Sequence, residues 1–237
     1  MAMNKRLLPI GIQTFREIRE RECYYVDKTA YIRRLLNEGK HYFLSRPRRF
    51  GKSLFLDTLK EVFEGNEPLF AGLSIHDHWD WSVRHPVLRL SFGSGNFKVP
   101  GYVEATLMEQ LAAAERRSEV VPEYATAPGR FASLLEALHS QTEQPVAVLI
   151  DEYDKPILDA LEVPEVARAN CDFLRGLYAV IKDSDAHVRF TFITGVSKFS
   201  KVSLFSGLNN LKDITLDPRY SALCGYTEAD LDTVFAP

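Results

Sequence analysis

From residue 40 onward the apolar positions follow two rhythms that take turns along the chain. Apolar or alternating runs at 43–45, 86–92, 146–150, 188–194 and 212–216 predict five strands. Between them, apolar residues recur at helical spacing over 52–65, 102–117, 130–141 and 164–182. Gly65 is the expected stop of the first helix, and Pro164 falls in the first turn of the last. The run VAVLI at 146–150 is apolar at every position, as a central strand covered on both faces requires. Strands alternating with helices predict an α/β, three-layer domain around a mostly parallel five-stranded sheet. Ligands in such sheets gather at the carboxyl ends of the strands, where this pattern puts Ser45, Asp151 and Thr194. Residues 1–40 read as a helical N-terminal segment packed on the core, with helices over 14–21 and 28–37, Asp27 as N-cap and Gly39 as stop.

The first predicted strand runs into a basic loop, HYFLSRPRRFGKSL over 41–54, that ends in Gly51-Lys52-Ser53 at a helix start. Strand, loop and Gly-Lys-Ser form the phosphate-loop arrangement, in which backbone N–H groups surround nucleotide phosphates. Of the pattern G-x-x-x-x-G-K-[ST], the last three positions match and Arg46 replaces the first glycine. Pro47 stiffens the loop by fixing its own φ. Arg48, Arg49, Phe50, Gly51, Lys52, Ser53 and Leu54 are the candidate nucleotide-binding set. Lys52 would meet the β- and γ-phosphates, and Ser53 would offer its hydroxyl to Mg²⁺. Which arginine faces the nucleotide is not legible.

The strand 146–150 delivers Asp151 and Glu152 to its end. Two carboxylates after a buried strand are costly unless cations meet them there. Asp151 is the candidate metal-side acid, and Glu152 the candidate base that activates water. Asp154 and Pro156 read as turn residues. Thr194 is a candidate for positioning water or sensing the γ-phosphate, with Ser197 as substitute and a local turn bond as the competing role. His76, Asp77, His78 and Asp80 lack a partner cluster and read as loop residues rather than a metal site. The basic segment 198–201 and Arg219 read as solvated surface before they read as a charge reaching a neighbouring subunit's nucleotide. Tyr24 and Tyr25 with Phe15 read as core packing rather than a base-stacking platform.

Composition narrows the field. The 237 residues carry 29 Lys and Arg against 32 Asp and Glu, a formal net charge of −3. That balance does not advertise a nucleic-acid or membrane partner, and nucleic acid is left open only as a local patch. Three scattered cysteines lack metal spacing and read as thiols of a reducing compartment. No membrane-length apolar run and no cleavable leader is visible, so a cytoplasmic protein is expected. Near the end, Thr227 and Asp230 open a capped helix just before residue 237, and 217–237 is expected to be the start of a truncated lid region.

The ordered set LPIGIQTFREI (8–18), YYVDKT (24–29), FLSRPRRFGKS (43–53), IDEYDKPI (150–157), FITGVSKFS (192–200), SGLNNLKDIT (206–215) and GYTEADL (225–231) resembles the predicted AAA-ATPase-like family of bacteria and archaea. The resemblance spans nearly the whole chain. It implies a P-loop ATPase core of the additional-strand class at 41–216, in which arginine at the first loop position is normal. By position, Lys52 and Ser53 match the phosphate-loop residues, and Asp151 and Glu152 the acidic pair. Members commonly continue into a region resembling a PD-(D/E)xK nuclease, which this sequence does not reach, so no nuclease activity is expected of it. The expected activity is Mg²⁺-dependent ATP hydrolysis by a motor or switch domain serving a C-terminal effector domain or partner protein. The alternative is a nucleotide-sensing scaffold with little hydrolysis, and a small-acceptor kinase is weaker than either. Homo-oligomers are left open by the resemblance.

Overall fold

The computed structural model describes residues 6–198, 204–205 and 207–235. Its sheet contains β1 (His41–Ser45), β2 (Val87–Ser91), β3 (Val146–Asp151), β4 (Val188–Gly195) and β5 (Lys212–Asp213), in the order β2-β3-β4-β1-β5. Every pairing is parallel. β4 therefore lies between the strand that leads into the basic loop and the strand that ends in the acids.

Alternation sends the side chains of each strand to two faces. Leu88, Leu90, Val146, Val148, Ile150 and Ile193 pack into one buried cluster. It is closed by α4 (Tyr102–Arg117), α5 (Ala127–Thr142) and α7 (Pro164–Asp183). Tyr42, Leu44, Ala147, Leu149, Phe190 and Phe192 face the opposite cluster, built with α1 (Phe15–Glu20), α2 (Thr29–Glu38) and α3 (Lys52–Phe63). Every residue of β3 is buried, which explains its unbroken apolar run. The first helix sits on α3: Asp57 accepts from the Phe15 N–H at 2.7 Å, and Arg16 pairs with Glu61 at 2.8 Å. Phe15 also meets Tyr25 edge-on, with ring centroids 5.1 Å apart.

Several boundaries move for local reasons. α5 starts at Ala127, three residues before the expected Arg130, because Thr126 caps it and Pro128 fits the first turn. β5 keeps two residues of the expected five. The Asp213 carboxylate takes the Thr215 N–H at 2.9 Å and turns the chain away, so the Thr215 hydroxyl, not its backbone, receives the Ser45 N–H at 3.0 Å. A short α6 (Lys155–Leu158) follows the acids directly. α8 (Glu228–Asp230) opens with the expected Thr227–Asp230 capping box and continues as a π-turn over Leu231–Phe235.

β2 is an edge strand, and a side chain caps the end of its outer rim. The Gln110 amide of α4 accepts the Ser91 N–H at 2.7 Å and donates to the Ser91 carbonyl at 2.9 Å. Among the described residues no helix is long and apolar enough to cross a membrane.

Candidate functional site

β1 hands the chain to the basic loop at Ser45, and α3 begins at Lys52. Two residues between them adopt left-handed backbone, Arg49 (φ 62°) and Gly51 (φ 89°). A Cβ at Gly51 would have nothing within 4 Å, so the angle and not crowding calls for glycine. Arg46 is not left-handed, and its position has no need of glycine. Its guanidinium turns aside, donating to the carbonyls of Ser45 (3.1 Å), Thr215 (2.6 Å) and Tyr220 (3.4 Å). Arg46 thus fastens the loop base to the segment after β5. Arg48 is the arginine whose charge reaches Glu152.

Gly51 caps α3 without a side-chain acceptor, which leaves the first-turn N–H groups of Lys52, Ser53 and Leu54 facing the loop. Lys52 is buried, and its Nζ donates to the carbonyls of Arg46 and Pro47, both at 2.9 Å. An ammonium has three donors, so one is left for a ligand oxygen. Burial holds the Lys52 pKa below the ordinary lysine value, while the charges of Asp151, Glu152 and Asp154 pull it upward. The lysine and the acids therefore share one electrostatic site. Their strands flank β4 on either side, and two inter-strand steps separate them by about 10 Å.

Across that gap, the Thr194 hydroxyl donates to Asp151 Oδ1 at 2.7 Å, and the Glu152 N–H donates to the same oxygen at 3.1 Å. Both bonds fall on Oδ1. Thr194 is fully buried, so its hydroxyl orients the acid rather than lying open to solvent. Glu152 is left-handed (φ 52°), a strained setting for a residue with a Cβ. Burial, followed by the neighbouring charge of Asp151, raises its pKa, and Lys155, Lys52 and Arg48 oppose the rise.

Asp154 was legible only as a turn residue, yet it is 1% exposed and belongs to this site. Its Oδ2 accepts the N–H groups of Val196 (2.9 Å) and Ser197 (2.6 Å). Burial raises its pKa against those bonds. Its place three residues after Asp151 was visible, but which strand its carboxylate would reach was not. Ser197 contributes backbone here.

A hydroxyl and a carboxylate are donor types that a lightly held Mg²⁺ would take, and Ser53 and Asp151 would be the residues to offer them. No group of three or more His, Cys, Asp or Glu gathers as a metal cage among the described residues. Magnesium commonly takes one or two protein ligands and fills its shell with water and phosphate oxygens. Elsewhere, His76 bonds Asp77 at 2.9 Å in a 3-10 turn. Lys198 pairs with Asp213 at 2.7 Å, and residues 199–201 lie outside the described residues. Arg219 is held by Asp217 (2.6 Å) and Glu38 (2.8 Å).

The chain is 60% identical over 236 residues to a protein of Azotobacter chroococcum mcd 1 described as "Uncharacterized protein in vnfD 5'region". That match takes in 99% of this chain and 46% of the relative, so the chain spans less than half the relative's length. No solved structure matches it. The family model described as "Predicted AAA-ATPase" matches residues 9–205, a stretch holding the basic loop, the acidic turn and β4. With the parallel sheet, the inserted β4 and a model match over most of its length, the chain belongs to the predicted AAA-ATPase family.

Proposed function

We propose that this chain is an ATP-binding, Mg²⁺-dependent ATPase domain that acts as a motor or switch for a partner domain. One observation carries the reading: a buried lysine at the start of α3 shares its electrostatic environment with Asp151, Glu152 and Asp154 from the far side of β4. An ammonium with a spare donor, helix-start N–H groups and acids across a strand-width gap suit a triphosphate with its metal ion.

In this reading the first-turn N–H groups and Lys52 bind the phosphates. Ser53 and Asp151 hold Mg²⁺, which supplies charge neutralisation at the β- and γ-oxygens. Thr194 keeps Asp151 in its rotamer. Glu152 in its ionised form accepts a proton from the attacking water, and Arg48 lends positive charge beside it. The alternative, a nucleotide-sensing scaffold with little turnover, is favoured by Arg219, whose ion pairs withhold it from a neighbour's phosphate.

Two measurements test the reading. ATP with Mg²⁺ raises the melting temperature of the wild type and not of Lys52→Ala, through binding linkage. Phosphate release by the wild type exceeds that of Lys52→Ala and Glu152→Gln. Equal rates for all three would refute hydrolysis, and a missing thermal shift would refute binding.

A further inference from the structure

We propose that Asp154 is a positioning residue that makes the 195–197 turn a rigid bridge between the acidic turn and the phosphate loop. Its catalytic consequence rests on the ATPase reading above, whereas the bridge rests on geometry alone. Asp154 is the N-cap of α6, where a carboxylate ordinarily accepts from its own helix. Here it makes no capping bond. Both N–H groups it accepts come instead from the turn that follows β4. Tyr153 brackets the same turn, its N–H donating to the Thr194 carbonyl just before it and its hydroxyl to the Ser197 carbonyl at its end, each at 3.0 Å.

The other side of this turn holds the phosphate loop. The Ser45 hydroxyl donates to the Val196 carbonyl at 2.7 Å, and the Arg46 N–H donates to the Gly195 carbonyl at 3.2 Å. The Arg46 carbonyl in turn accepts from Lys52. A continuous path of hydrogen bonds and backbone therefore runs from Asp154 to Lys52. Gly195 is the point of closest approach. A Cβ there would lie 2.4 Å from the Tyr153 ring and 2.6 Å from Asp154 Oδ1. A carboxylate this deeply buried is costly unless it is bonded, and two successive N–H groups on one oxygen meet that need. The bridge thereby sets the distance between Glu152 on one bank and Lys52 on the other.

The experiment compares wild type, Asp154→Asn and Asp154→Ala by amide hydrogen exchange and by ATP hydrolysis. In Asp154→Ala the Val196 and Ser197 amides exchange at least roughly tenfold faster, and so does the Arg46 amide, which Asp154 does not touch, while Leu90 in β2 keeps its protection. Asp154→Asn, which retains an acceptor, falls between. In hydrolysis, kcat drops on the order of 10–100-fold with KM within about threefold, because misplacement of reacting groups acts on the chemical step. Unchanged exchange at Arg46, or a loss wholly in KM, would overturn the proposal. If Asp154→Ala does not fold, Asp154→Asn alone decides, through the same Arg46 amide. A wild type that hydrolyses no ATP removes the ATPase reading, and the exchange result still judges the bridge.

Discussion

The phosphate loop and the acidic turn are built from the same device and held in opposite ways. Each leaves a strand end through left-handed backbone, at Arg49 and Gly51 in the loop and at Glu152 in the turn. The loop is open along its length, with Arg48, Arg49, Phe50 and Gly51 all exposed, and Lys52 is the side chain drawn inward across its base. The acidic turn is buried at Asp151, Tyr153 and Asp154 and tied to β4 and the turn that follows it by bonds on each of those residues. The contrast separates two tasks. A loop that meets ligand oxygens with its backbone can adapt to them, whereas acids that must meet a reacting atom have to be set beforehand.

The largest expected break in this contrast comes from the acid. On the ATPase reading, Glu152→Gln keeps shape and removes the proposed base, so hydrolysis falls on the order of 1,000-fold in a phosphate-release assay while nucleotide still raises the melting temperature. Lys52→Ala acts on the loop. It lowers turnover by about 100-fold and, unlike the first variant, abolishes the nucleotide-induced thermal shift. Gly195→Ala strikes where the two regions meet. A methyl group forced against the Tyr153 ring and Asp154 costs about 2–3 kcal/mol in denaturant unfolding.

Acidity separates the two regions more gently. Glu152 and Asp154 both have raised pKa values, so the folded state keeps their protons to higher pH than the unfolded chain does. Their contribution to stability is therefore present at low pH. It is lost as pH climbs from the ordinary carboxylate range through the raised values. Turnover runs the other way. It rises with pH as Glu152 ionises, and the acidic limb of a kcat–pH profile lies above the ordinary glutamate value of 4.5. The smallest effect is expected at Arg49→Gly, which relieves left-handed strain and raises stability by about 1 kcal/mol in thermal unfolding.

Much of this was legible in the order of residues, and the remainder depended on contacts between distant segments. Burial on both faces imposed a continuous apolar run on β3, and its boundaries could be read closely. Gly51, Lys52 and Ser53 are adjacent, so their place between a strand and a helix start could be read locally. β5 was misjudged because Asp213 and Thr215 divert the chain through side-chain bonds that no periodicity records. α5 begins earlier than the helical spacing alone indicates because Thr126 caps it and Pro128 is well suited to a first turn. Arg46 looked like a defect in the loop. Only its backbone angle and its three carbonyl partners show why no glycine is needed there. Asp154 was read only as a turn residue because its bonds to the segment after β4, and its approach to Gly195, join two strands far apart in sequence.

The glutamine on α4 bears on how this molecule can meet its own kind. By occupying both main-chain groups of Ser91, Gln110 blunts the place where a foreign strand would begin to zip onto β2. At the opposite margin, a two-residue β5 offers little template for such growth. Replacing Gln110 with alanine would bare the Ser91 main-chain groups at the end of that rim.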